Sequence, residues 1–200
     1  MKYYIKNAVL PFVYLFFMAI TAFGILTIAD NLLWLKYVLL VLNLGLYLFI
    51  VCAYGYKMGQ DAMKTRNAND LERKQIVLTG ELRPLKLDEE YKPFKGALIG
   101  LTACAPLIIA LLLHTVLGLC GVGNGAGIVA CVIYLSFFAF FRANTAGVAQ
   151  ATFGTYYISL VALPVIVAAM GVSYYLGAKK IERQYQRIRE NQRRIYGEDK

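Results

Sequence analysis

Few side chains in this 200-residue sequence carry chemistry, and four stand out because apolar or small residues surround them. His114 is the single histidine. Arg142, Asn144 and Gln150 fall at the start of and within a small, mildly polar run, ANTAGVAQATFG over 143–154. An imidazole in an apolar helix can relay a proton or bind a ligand. With Arg142, Asn144 and Gln150 it makes a candidate polar membrane site facing outward. The plainer reading of a lone histidine, with no carboxylate or second histidine nearby in sequence, is an interfacial hydrogen-bonding residue.

Other chemistries lack their residues. There is no H-E-x-x-H, no G-x-S-x-G, no P-loop and no pair of catalytic carboxylates. No acidic residue lies deep in an apolar stretch, so transport coupled through a buried carboxylate has no carrier. Cys52, Cys104, Cys120 and Cys131 form no C-x-x-C pair, which argues against zinc, and reduced thiols are expected. A catalytic role and a cofactor are therefore not expected.

The elements that must position these residues are five apolar stretches, 8–29, 32–56, 97–117, 126–141 and 155–177. Hydrophobic residues make up 59% of the chain and mean hydropathy is +0.55, beyond a soluble domain. The runs are continuously apolar rather than alternating, which selects helices over a barrel. A hydrocarbon core about 30 Å thick needs about 20 helical residues. Four stretches meet that length and 126–141 falls short. The expected fold is an all-α polytopic integral membrane bundle in the cell membrane. It has four transmembrane helices and one short element that re-enters, lies peripherally or makes a fifth span.

Charge orients the bundle. Of 21 basic residues, nine fall in 57–95, eight in 178–200, and two are Lys2 and Lys6. Nucleic-acid binding would need a folded basic domain that no polar segment can build, so the excess reads as positive-inside topology. A fifth span would put the basic tail outside; an even number keeps both termini cytoplasmic. The first apolar run resembles a signal peptide behind its lysines, but it is too long and lacks a clean cleavage site.

Four regions follow. Residues 1–56 form an N-terminal hairpin with a short outer turn, beside which Trp34 and Tyr37 make an aromatic belt and Lys36 snorkels to the headgroups. Residues 57–95 continue helix 2 to Gly80 and then form a strap lying along the membrane face. Residues 96–177 form the C-terminal membrane region, with its third span loosened by Pro106. Residues 178–200 make a basic amphipathic tail, and Lys179, Lys180, Arg183 and Arg187 are expected to contact anionic lipid headgroups.

Small residues mark candidate helix contacts: Gly55 with Gly59, Gly96 with Gly100, and Ala143, Gly147 and Ala151 at every fourth position. Interhelical hydrogen bonds are expected from Asn43 and Thr102. Two functional classes remain. The first is a non-catalytic subunit or accessory protein that meets a membrane-protein partner or a second copy of itself. The second is a small permease or substrate-binding transporter component using the outer polar site.

Overall fold

The computed structural model describes residues 2–28, 30–80, 84–121, 125–141 and 153–196. Among them the structure is helical, with no strand. Helix α1 spans Lys2–Leu26, and a 3-10 turn at Asp30–Leu32 leads into α2, Leu33–Thr79. The Tyr54 hydroxyl donates to Asn7 Oδ1 at 3.3 Å near one end of the pair, and Thr21 Oγ1 donates to Asn43 Oδ1 at 2.6 Å further along. The two helices therefore run antiparallel as a hairpin.

At about 1.5 Å per residue, the 47 residues of α2 extend about 70 Å, more than twice a hydrocarbon core. Its second half must project beyond a bilayer, as its charges require. Gly80 ends it with φ +71° and donates its N–H to the Ile76 carbonyl. A β-carbon is disfavoured in that left-handed conformation.

The strap then packs back along α2. Lys86 N–H donates to Asn69 Oδ1, Asn69 Nδ2 and Arg73 bond Glu90 Oε1, and Tyr91 N–H donates to the Ala62 carbonyl. Tyr91 stacks on Tyr174 at 5.5 Å, and burial pushes its phenol above the usual pKa. Lys95 closes the strap: its ammonium donates to the carbonyls of Asp88 and Glu90 and lies 3.9 Å over the Tyr3 ring.

Helices α3 (Lys95–Ala103) and α4 (Ala105–Leu119) meet at Cys104 with a bend of 47°. Pro106 sits in the first turn of α4 and has no N–H for the carbonyl of Thr102, so the ladder breaks there. Thr102 does not bond a neighbouring helix as expected. Its hydroxyl donates to Leu98 O in its own helix at 2.8 Å.

Short helices α5 (Gly125–Ile133) and α6 (Leu135–Phe141) follow, then a 3-10 segment at Phe153–Val161 and α7, Ala162–Tyr196. Among the described residues three helical segments are long and apolar enough to cross a membrane: α1, α2 and the one from Gly154 through α7. The bent α3–α4 pair makes a fourth if it counts as one span. Phe16, Phe17, Phe23 and Phe49 are exposed on these helices, where a bilayer would receive them. The chain is a helical membrane protein.

Helix α7 is the centre of the bundle. Its pairing with α2 advances together along both chains, from Cys52 at Ala169 through Gly55 at Ser173 to Met63 at Ala178 and Ile181. The two helices are parallel. Against α3 the order reverses, with Gly96 at Tyr174 and Gly100 at Val167. Lys36 departs from its expected position: it is 1% exposed, packed inside the bundle instead of reaching a headgroup layer.

Candidate functional site

Three groups of residues could do something chemical, and each lies at a different depth. At the end of the bundle away from the basic segments, α4, α5 and the 3-10 segment enclose His114. Its ring meets Tyr156 edge-on at 4.9 Å and Tyr157 at 6.0 Å, and it is fully buried. The Tyr157 and Thr115 hydroxyls share a hydrogen bond of 2.6 Å, and Thr115 also donates to Leu111 O. A β-carbon at Gly127 would come within 2.9 Å of His114 Nδ1 and 2.8 Å of Tyr156, so the absence of a side chain there lets α5 close over the imidazole.

Tyr156 and Tyr157 ring contacts and the close face at Gly127 hold the imidazole, while the half-buried Thr115 and Tyr157 hydroxyls bond each other beside it. Of the other members of the candidate polar site, Arg142, Asn144 and Gln150 lie outside the described residues, as do Ala143, Gly147 and Ala151. Tyr156, Tyr157 and Thr115 were not singled out from sequence. A tyrosine pair at the start of an apolar stretch reads as an interfacial belt, and only the fold turns it toward α4.

At mid-depth Asn43 joins three elements. Its amide nitrogen donates to Met18 O at 3.0 Å and to Ser136 Oγ at 3.2 Å, while its oxygen accepts from Thr21. Tyr134 hydroxyl donates to Ala103 O at 3.1 Å, at the break between α3 and α4. Cys131 lies 3.6 Å from Ser159 Oγ; all four cysteines are free thiols. Among the described residues no group of three histidine, cysteine or acidic side chains could hold a metal ion.

The third group is the seam between α2, α3 and α7. A β-carbon at Gly55 would collide with Ser173 Oγ, at Gly59 with the carbonyl of Tyr174, and at Gly177 with the carbonyl of Tyr56. On α3, Gly96 lies against Tyr174, and Gly100 would place a β-carbon 3.0 Å from Val167 Cα. Just beyond this seam Lys179, Lys180, Arg183 and Arg187 line one cleft with Tyr56. No family model, curated protein or solved structure matches this chain.

Proposed function

We propose that this chain is a non-catalytic membrane subunit whose helices beyond the bilayer bind a protein partner. Four crossings, with both termini cytoplasmic, fit the contacts best. Because α2 and α7 run in one direction, the chain between them must make a net odd number of crossings. The α3–α4 pair supplies one, so the described parts of the later connection, 125–141 and 153–161, add no net crossing. Its contacts suit a half-depth excursion from the outer side: Gly127 lies by His114, Ser136 reaches Asn43 at mid-depth, and Tyr156 is again beside His114.

One observation carries the functional reading. Beyond the bilayer, on the basic side, Val77 is 84% exposed, Leu78 83% and Ile195 75%. Apolar side chains in water on two projecting helices are surface that a protein partner or a second copy would cover. The apolar stripe of the basic tail continues α7 outward: Ile181 is buried against Met63, and Tyr185, Ile188 and Ile195 beyond it are exposed.

The test is purification in mild detergent with light scattering. A stoichiometric complex is expected, lost when Val77 and Leu78 are replaced by serine. A monomer that moves solute in liposomes would sink the reading and favour the second one, a small permease. What favours that alternative is the cluster of buried His114 and Tyr156 with the half-buried Tyr157 and Thr115.

A further inference from the structure

A groove of about 560 Å³ runs along the open face of the α2–α7 seam. Phe49 and Ala53 of α2 and Ala168, Ala169 and Val172 of α7 form its apolar walls. The glycines explain its depth: they bring the two backbones together, and the small side chains beside them leave the hollow. It ends at Tyr56 and Leu176. The same two residues begin the second cleft, about 530 Å³, whose further walls are Lys179, Lys180, Arg183, Gln184 and Arg187. Lys180 sits 5.7 Å over the Tyr56 ring. None of the residues lining this second cleft is acidic.

An apolar groove opening at one end into four cations is complementary to one molecule with a long apolar tail and an anionic head. Lysine supplies point charges and arginine a planar fork, and both suit phosphate oxygens. The depth fits as well. Headgroup layers are about 5–7 Å thick on each side of the hydrocarbon, and Lys179 to Arg183 covers about 6 Å of helix. Arg187 stands one turn further out.

We infer that the α2–α7 seam binds an anionic phospholipid, with an acyl chain along Phe49, Ala53, Ala168 and Val172 and its phosphate on Lys179, Lys180, Arg183 and Arg187. Binding is independent of any protein partner, and depends on the proposed orientation only for the leaflet that supplies the lipid.

The experiment uses the full chain, delipidated in detergent and titrated by native mass spectrometry. The probes are dioleoyl phosphatidylglycerol, dioleoyl phosphatidylcholine and inorganic phosphate. Phosphatidylglycerol should be retained more tightly than phosphatidylcholine, and inorganic phosphate should not displace it. Replacing the four basic residues by glutamine should weaken retention about fivefold per charge removed. Ala53→Phe with Ala168→Phe, at two exposed positions, should weaken it with every charge intact. Equal retention of the two lipids would overturn the inference, as would full retention by either variant. Displacement by phosphate would make the cleft a site for a soluble anion instead. The lipid comparison and the phosphate competition use the unaltered protein, so they decide the matter even if a variant fails to fold.

Discussion

Gly59 of α2 lies directly against the peptide carbonyl of Tyr174 on α7, and the relation recurs in reverse where Gly177 meets the carbonyl of Tyr56. Each helix thus contributes one glycine to the other's tyrosine turn. Backbone cannot swing aside as a side chain can, so neither glycine has room for a β-carbon. Helices in lipid associate through close packing and interhelical hydrogen bonds rather than through exclusion of water. This seam is where that packing is tightest.

Gly59→Leu and Gly177→Leu are therefore expected to destabilise the protein by at least about 1–3 kcal/mol, the usual cost of overpacking. The check is the melting temperature in detergent. Gly24→Ala and Gly45→Ala are the controls, because nothing lies within 4 Å of a β-carbon at either. Both should hold or slightly raise the melting temperature, since alanine is the better helix former.

Asn43→Leu should cost about 1–2 kcal/mol. It removes bonds to Thr21, Met18 and Ser136, and interhelical bonds in membranes average about 0.6 kcal/mol each. A double-mutant cycle with Ser136→Ala measures the link between the hairpin and α6. A coupling near zero would mean that α6 does not depend on Asn43 for its depth.

Lys95→Met should free the strap without unfolding the bundle. Lys95 is 2% exposed and holds two carbonyls of the strap; hydrogen bonds from a charged donor are worth about 1.5–3 kcal/mol. Limited trypsin digestion reads the result, with faster cleavage expected after the exposed Lys86, which precedes Leu87. Arg73→Ala removes ion pairs to Asp70 and Glu90 in which the arginine is itself half-exposed, each worth about 0–1 kcal/mol, and should change that rate far less.

Helix spans and their charged flanks were legible in the sequence because continuous apolar length and lysine placement are local properties. The continuation of α2 to Gly80 was legible for the same reason, from the absence of proline before a glycine stop. Partners were not. Thr102 sits where a loosened ladder suggested a bond to a neighbour, but its own Leu98 carbonyl was closer. Lys36 beside an aromatic belt implied snorkelling, yet the fold buries it. The glycine pairs could be found by spacing, but not that Gly59 would meet Tyr174, because small residues at that spacing fit many helix pairs. Of the candidate polar site only His114 falls among the described residues. Its tyrosine neighbours are more than forty positions away in sequence, so spacing could not link them.

The shared direction of α2 and α7 is tested most directly by cysteine labelling from each side of the membrane. Single cysteines at Val77 and Glu198 are introduced into a chain lacking its four native ones, and native Cys120, exposed at the far end, is retained alone as the outer reference. An impermeant maleimide on intact cells should label Cys120 and neither introduced site, and both should react once the membrane is opened. Labelling of Glu198→Cys from outside, with Val77→Cys still protected, would contradict the account and make 126–141 a fifth span.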